Sequence, residues 1–169
     1  MADLKPVVFK LNGEKYGVDI NLVNGIEREQ RIVSVPNSPE NIKGIINLRG
    51  MIVPVYNIAK KFGFADITSQ DSQLIITKLG EMLVALEVEG VEEISDIASS
   101  AISEVPKIIQ GGKTYYIKEI AKVGKVLLII LDVDRLISEE EQKNMEEIVK
   151  EQEVKEKGIF KRNGGNRHE

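Results

Sequence analysis

Few residues of this chain belong to the types that carry nucleophilic or metal chemistry in enzymes. Its 169 residues include no cysteine and one histidine, His168, next to the last residue. The lack of cysteine excludes disulfides, thiolate nucleophiles, iron–sulfur clusters and cysteine-ligated zinc, and is typical of a reducing compartment. A Ser-His-Asp site or a histidine metal site would have to use His168. We therefore predict no catalytic residue, no metal site and no cofactor.

Two further motifs resemble chemical sites without completing one. The segment 111–114, Gly-Gly-Lys-Thr, is similar to the end of a phosphate-binding loop, but the full pattern needs a glycine where Lys107 stands. Asp132 and Asp134 could pair two carboxylates for acid–base or Mg²⁺ chemistry, but no ligand cluster accompanies them. We expect them to cap a short helix over 132–137 instead.

The composition is that of a globular protein and argues against two classes of partner. With 42% hydrophobic and 5% aromatic residues and a net charge of −4, the chain can bury a core but lacks the basic, aromatic-bearing surface that nucleic acids require. Its longest strongly apolar run, 126–131, is far shorter than a membrane span, and its N-terminus has no signal-peptide pattern. We expect a cytoplasmic protein with no nucleic-acid partner and no direct membrane insertion.

Short strands are the elements that would position any site. Runs rich in valine and isoleucine recur at spacings of about ten residues, and turn dipeptides separate them. This pattern predicts a mainly β protein. The candidate strands are 7–11, 16–19, 31–35, 44–48, 51–56, 73–79, 83–87, 115–123 and 126–131.

The two halves of the chain are similar to each other. A shift of 68 residues places 17–20 over 85–88, Val23 over Val91 and Ile26 over Ile94, and a shift of 75 places 55–58 over 130–133. We interpret this as a degenerate internal duplication, with a first copy at about 7–68 and a second at about 73–137. Each copy could form a small five-stranded barrel, and two barrels packed side by side are the predicted architecture.

A helix is predicted after the second copy. Ser138 and Glu141 form a capping box, so a C-terminal helix is expected over 138–157, within a single domain that spans 1–157. Its few apolar residues could dock one side on a core, and we expect the acidic run 139–141 to be solvated charge. Residues 158–169 are expected to form a disordered tail.

One hairpin carries a more specific signature. Gly44 precedes an apolar strand, followed by Leu48-Arg49-Gly50, a second apolar strand 52–55 that contains a proline, and a short helical segment 58–62. This stretch resembles the signature of the CheW family of chemotaxis coupling proteins, and the resemblance extends over about 7–137. Further resemblance lies in Phe9, 16–20, Val23, Ile26, 33–36 and 83–94.

The resemblance implies both fold and function. It implies two packed SH3-like β-barrels and a noncatalytic adaptor that couples the cytoplasmic tip of a chemoreceptor to the regulatory domain of the histidine kinase CheA. Such a protein would be cytoplasmic and recruited to membrane-bound receptor arrays. Carried over residue by residue, the receptor-binding groove between the barrels would use Ile20, Val23, Ile26, Arg49, Val88, Val91 and Ile94.

The kinase contact is expected at one end of the first barrel. Ile32, Gly44 and Met51 are candidates because they lie next to loops, where side chains can leave the core. One departure from the family concerns Arg49, because Gly25 stands where many members have an acidic partner for that arginine. Glu27, two residues further along, is displaced by roughly 7 Å on an extended strand. The sequence therefore leaves open whether Arg49 and Glu27 form an ion pair.

The sequence is compatible with three alternatives. The chain could be a CheW-like regulatory domain of a larger kinase, a small-ligand-binding β-barrel, or an enzyme. An enzyme would need convergent titratable groups, whereas this chain has only scattered carboxylates.

Overall fold

Strands dominate the computed structural model, which describes residues 4–28, 30–68, 70, 72–94, 96–105 and 115–168. The mainly β fold class is confirmed, while the 111–114 segment lies outside the described residues. The strands are β1 (Pro6–Leu11), β2 (Glu14–Asp19), β3 (Val23–Arg28), β4 (Ile42–Leu48), β5 (Met51–Asn57), β6 (Gln73–Leu79), β7 (Met82–Val88), β8 (Gly90–Ile94), β9 (Ile102–Ser103), β10 (Ile117–Val123) and β11 (Val126–Leu131). The helices are α1 (Ile58–Lys61), α2 (Val133–Leu136) and α3 (Glu139–His168), with single 3₁₀ turns at Ile20–Leu22 and Ser99–Ala101.

The strands form two sheets of matching topology. A six-stranded sheet has the order β8-β1-β2-β11-β10-β9, and a five-stranded sheet has the order β3-β6-β7-β5-β4. Each sheet contains one parallel pair, β2 with β11 and β5 with β7, among antiparallel neighbours. The two sheets are compatible with the predicted SH3-like barrels.

The sheets correct the predicted division of the chain into 7–68 and 73–137. The six-stranded sheet joins the first two strands, β1 and β2, to strands after residue 89, while β6 and β7 pair with β3, β4 and β5. The copies therefore exchange their first two strands. Equivalent strands carry the same apolar pattern, so either copy can complete either sheet, and the sequence similarity alone does not select the partner.

The pairing register reproduces the internal duplication. Val55 pairs with Ala85 in the parallel pair of one sheet, and Ile130 pairs with Gly17 in the other. The shift of 75 relates Val55 to Ile130, and the shift of 68 relates Gly17 to Ala85. Equivalent residues thus make equivalent pairs across the two sheets.

The helix caps repeat in the same way. The Asn57 side chain accepts a hydrogen bond from the Lys60 backbone N–H at the start of α1 (3.1 Å), and the Asp132 side chain accepts one from the Arg135 N–H at the start of α2 (3.4 Å). The expected capping role of Asp132 is confirmed. The Asn57 cap satisfies an N–H in the first turn of α1, and the Arg135 N–H is shared between the Asp132 side chain and the Asp132 carbonyl oxygen (3.2 Å).

Four elements differ from the candidate strands, since β3, β8 and β9 were not among them and the candidate 31–35 is not a strand. Strand β3 contains the turn-favouring dipeptide Asn24-Gly25, yet it pairs with β6 through an irregularity between Val23 and Gly25. The candidate strand 31–35 pairs only at Val33, which forms an isolated bridge with Ile45 of β4. Pro36, which follows, has no N–H to extend the ladder.

One large core cluster lies between the two sheets and the helices. It includes Phe9 of β1, Leu86 of β7, Leu136 of α2, and Met145 and Ile148 of α3. Shared burial of this kind makes the sheets and the first turns of α3 one packed unit. Within the described residues, no helix is both long enough and apolar enough to cross a membrane.

The C-terminal helix is confirmed at its start and longer than expected. Ser138 Oγ accepts from the Glu141 N–H (3.1 Å), and the Glu141 carboxylate accepts from the Ser138 N–H (3.0 Å), as a capping box requires. The helix then runs to His168, through the residues expected to form a disordered tail. Once a helix is nucleated, each added residue gains a backbone hydrogen bond without tertiary contacts.

Candidate functional site

The chain crosses from one sheet to the other at two equivalent places. The turn Ile20–Leu22 carries it from β2 to β3, and Glu89 carries it from β7 to β8. The first crossing is held by Asp19, whose side chain accepts from the Asn21 N–H (3.0 Å), and by the Ile20 N–H, which donates to the Lys5 carbonyl (3.0 Å). These crossings position the residues predicted for the groove.

The predicted groove residues separate into accessible and buried ones. Ile20, Val23 and Val91 are half-buried and pack against the large core cluster, and Ile26 is exposed. We call these four residues the junction surface. Val88, by contrast, has no solvent-exposed area, so its assignment to the groove is corrected to a core position. The side chain of Ile94 lies outside the described residues.

Val88 and Val91 differ because of their places in the sheets. Val88 ends β7, which is central between β6 and β5 and is buried along its last five residues. Val91 lies in β8, which is the edge strand of the six-stranded sheet. The Gln73 side chain of β6 accepts from the Val91 N–H (2.7 Å), which ties this edge to the other sheet. This hydrogen bond joins the strand that carries Val91 to the sheet that carries Val23 and Ile26.

Arg49 stands at the tip of the β4–β5 hairpin. Arg49 and Gly50 both have positive φ, 52° and 86°, as in a type I′ turn, and the Asn47 side chain accepts from the Gly50 N–H (2.8 Å). The Arg49 guanidinium lies 3.4 Å from a Glu27 carboxylate oxygen. The ion pair left open by the sequence therefore exists, although its exposure limits it to about 1 kcal/mol or less.

The Arg49–Glu27 pair also shows that the five-stranded sheet is curled. Glu27 belongs to β3, at one edge of the sheet, while Arg49 follows β4, at the other edge. The Val33–Ile45 bridge likewise brings the chain after β3 onto β4, with hydrogen bonds of 2.8 and 2.9 Å. Both contacts require the sheet to curl until its edges meet.

The three kinase candidates lie in different environments. Met51, at the start of β5, is 53% exposed, and Ile32 is half-buried against a second core cluster. Gly44 is buried beneath the backbone of Val33, where an added Cβ would lie 2.9 Å from the Val33 carbonyl carbon. Gly44 is therefore corrected from a contact residue to a packing position, while Met51 remains accessible.

Met51 opens onto a cleft that sequence reasoning missed. The cleft has a volume of about 460 Å³ and lies between the ends of two hairpins and α3. We call it the hairpin-end cleft. Its lining residues are Met51, Ile52, Glu81, Met82, Leu83, Glu146, Val149, Lys150 and Glu153. Their separation in sequence left no local signal, because only the docking of α3 brings them together.

A polar network fastens the start of α3 to the five-stranded sheet. The Glu141 carboxylate accepts hydrogen bonds from the Tyr56 hydroxyl (2.9 Å) and the Asn41 amide (3.0 Å), and it pairs with Lys61 (3.3 Å). Burial by itself would raise the pKa of Glu141, but the donated hydrogen bonds and the Lys61 charge hold that pKa below its ordinary value. Burial, with the neighbouring carboxylate, raises the pKa of Tyr56.

This network corrects the expectation that the acidic run 139–141 is solvated. Glu139 and Glu140 are exposed, whereas Glu141 is partly buried and has partners on β5 and α1. The capping-box pattern predicted its role within the helix but not its tertiary partners. These depend on Tyr56, whose side chain is fully buried with its hydroxyl directed at α3.

A second buried carboxylate is paired through its Oε2 atom, whereas its Oε1 atom has no hydrogen-bond partner among the described residues. Glu87 of β7 is 1% exposed and accepts from Lys43 (2.7 Å) and the Ser72 hydroxyl (3.0 Å). The described part of the chain contains no group of three or more histidine, cysteine or carboxylate residues that could hold a metal ion. The accessible groups of the junction surface and the hairpin-end cleft are mainly aliphatic and charged side chains, which suit noncovalent binding.

Comparisons with known proteins agree with this description. Residues 5–141 match the family model of the CheW-like domain. The chain is 29% identical over 145 residues to the chemotaxis protein CheW of Klebsiella aerogenes, covering 85% of this chain and 87% of that protein. It is 28% identical over 137 residues to the CheW of Bacillus subtilis, covering 80% and 88%.

A solved structure is similar as well. The crystal structure of the scaffolding protein TtCheW from Thermoanaerobacter tengcongensis superposes with a TM-score of 0.74 and 34% sequence identity. The match covers 83% of this chain and 96% of that one. The similarity therefore includes both sheets, and the end of α3 lies beyond the residues matched by the family model.

Proposed function

The chain belongs to the CheW family, and from that premise we propose that it is a noncatalytic adaptor in bacterial chemotaxis. It couples the cytoplasmic tips of chemoreceptors to the regulatory domain of the histidine kinase CheA, in the cytoplasm and at membrane-bound receptor arrays. The family match over residues 5–141 is the observation that carries this proposal. The two separate apolar surfaces support it, because an adaptor needs one for each partner.

The junction surface is the proposed seat of the receptor tip. A receptor tip is a helical hairpin, and an amphipathic helix needs an apolar trough about one helix face wide. Ile20, Val23, Ile26 and Val91 supply aliphatic side chains beside the edge strands β3 and β8, and Ile94 remains a candidate through its place on β8. Arg49 is the proposed polar contact at the rim.

We expect Val23→Asp to weaken receptor-tip binding about thirtyfold or more and to leave binding to the CheA regulatory domain unchanged. The substitution removes an apolar contact and places an unpaired charge in a desolvated interface. Titration calorimetry with separate receptor-tip and kinase-domain fragments measures both affinities. The matched control is Asn24→Asp, which adds the same charge at the neighbouring exposed position.

Two outcomes would count against this assignment. If Val23→Asp loses its β-sheet circular dichroism, Val23 belongs to the core rather than to a binding surface. If it folds and binds the receptor tip as the native chain does, the groove lies elsewhere. Binding of the native chain to neither fragment would contradict the adaptor function as a whole and would favour the small-ligand-binding barrel.

Met51, together with Ile32 of the segment that precedes β4, is the proposed kinase contact. We expect Met51→Glu to weaken binding to the kinase domain about tenfold or more while leaving the melting temperature unchanged, because the side chain is exposed in the free protein. The matched control is Val126→Glu, at the equivalent first position of β11 in the other sheet. Unchanged affinity of the Met51 variant would remove Met51 from the site.

A further inference from the structure

Sulfur in this chain is confined to methionine. The sequence has four methionines and no cysteine, so a peroxide meets thioethers and no thiolate. Met145 is completely buried in the large core cluster, and Met1 lies outside the described residues. Met51 is 53% exposed, and Met82 is half-buried. Met51 and Met82 are therefore the described methionines that solvent can reach.

The two accessible methionines occupy equivalent places in the five-stranded sheet. Met51 begins β5 and Met82 begins β7, each directly after the turn of its hairpin. Both side chains line the hairpin-end cleft. The turns leave space open beside them, since an added Cβ at Gly50 or Gly80 would meet nothing within 4 Å. A small oxidant that enters the cleft can therefore approach both methionines.

The lining of the cleft suits a thioether better than a sulfoxide. Oxidation converts the flexible, apolar methionine side chain into a polar one whose oxygen accepts hydrogen bonds. The charged lining consists of Glu81, Glu146, Glu153 and Lys150. Ionised carboxylates only accept hydrogen bonds, so Lys150 is the one charged donor among the described lining residues. A sulfoxide covered by a protein partner here would need donors that the lining does not supply beyond Lys150.

We propose that Met51, together with Met82 of the same cleft, is a reversible oxidation site that weakens the kinase contact. This inference rests on the proposed function, because it takes Met51 as part of that contact. Oxidation excludes the partner because the sulfoxide would be buried against an apolar surface without enough donors. Conversely, a bound kinase domain covers Met51 and protects it from oxidation.

Hydrogen peroxide is the oxidant in this step. A sulfur lone pair forms a bond to one peroxide oxygen as the O–O bond breaks, and the leaving hydroxide takes the proton of the transferred hydroxyl group and becomes water. Sulfur loses two electrons and the peroxide gains two. A methionine sulfoxide reductase reverses the change, since it removes the oxygen as water while a dithiol is oxidised to a disulfide.

Peroxide treatment of the full-length chain, followed by mass spectrometry of its peptides, tests the site without any partner. We expect Met51 to be oxidised about tenfold or more faster than Met145, with Met82 between them, because reactivity follows exposure. Addition of the CheA regulatory domain should slow the oxidation of Met51. Equal rates at Met51 and Met145 in the folded chain would overturn the inference.

Titration calorimetry with the kinase-domain fragment tests the effect on binding. The oxidised chain should bind about tenfold or more weakly than the same chain before oxidation, and treatment with the reductases should restore the affinity. Each variant is compared with its own unoxidised form. The volume-conserving double variant Met51→Leu/Met82→Leu should lose its sensitivity to peroxide, whereas the matched control Met145→Leu should keep it.

The outcomes separate this inference from the adaptor function. If the untreated chain binds the kinase domain and oxidation leaves that affinity unchanged, the inference is wrong and the adaptor function stands. A double variant as sensitive as the native chain, or a loss of β-sheet circular dichroism on oxidation, would also overturn the inference. An untreated chain that does not bind the kinase domain would contradict the adaptor function, and this inference with it.

Discussion

Gly44→Ala should lower the free energy of unfolding by about 3 kcal/mol, which corresponds to a fall of roughly 6–12 °C in Tm for a chain of this size. An alanine Cβ at this position would overlap the Val33 carbonyl oxygen and lie 3.1 Å from Ile32 Cγ2. The neighbour is backbone, and that backbone is fixed by its two hydrogen bonds with Ile45. Relief of the overlap therefore requires the bridge to open.

Thermal or urea denaturation measures this effect, and Gly25→Ala is its matched control. Gly25 also lies in a strand of the five-stranded sheet, but an added Cβ there meets nothing within 4 Å. We expect the control to change stability by about 0.5 kcal/mol or less. Equal stabilities of the two variants would show that residues 31–35 can move away from β4 at little cost.

The second large effect is expected at Glu141. Glu141→Ala removes the bond that the Ser138 N–H donates to the Glu141 carboxylate, which is one half of the capping box, and leaves the buried Tyr56 hydroxyl without its carboxylate acceptor. The unsatisfied buried donor and the lost half of the capping box together should lower the free energy of unfolding by about 3 kcal/mol. Hydrogen exchange should show faster exchange of the first α3 amides. Glu140→Ala, at the exposed neighbouring position, is the control and should have an effect of a few tenths of a kcal/mol.

The same carboxylate makes the docking of α3 dependent on pH. Because folding lowers the pKa of Glu141, its contribution is fully present above the pKa of the unfolded chain and is lost as the pH falls through the folded value. We expect the stability difference between the native chain and Glu141→Gln to shrink below about pH 4. A difference that stays constant down to the acid transition would contradict this role for the Glu141 charge.

Protonation of Glu141 at low pH should also affect the hairpin-end cleft. Residues Glu146, Val149 and Lys150 lie one to three turns beyond Glu141 on α3, so the anchor at Glu141 sets the position of that wall. Loosening the anchor should therefore open the cleft as well as destabilise the helix. The partner contacts proposed for Met51 of β5 therefore depend on α3, which is not part of the five-stranded sheet.

Local features of this protein could be predicted from its sequence because they depend on neighbouring residues. The cap at Asp132 and the capping box at Ser138 each join groups a few residues apart, so residue type and spacing are sufficient. The duplication could be predicted for a related reason, since similar apolar spacing leads to similar pairing, as Val55–Ala85 and Ile130–Gly17 show.

Only the tertiary structure decided which strands share a sheet and which apolar residues stay accessible. Val88 and Val91 have the same residue type three positions apart, but one ends a central strand and the other lies on an edge strand. Glu141 follows two exposed glutamates, yet it alone meets Tyr56. Apolar or charged periodicity identifies residues that favour or avoid water, whereas burial depends on what long-range pairing places over them.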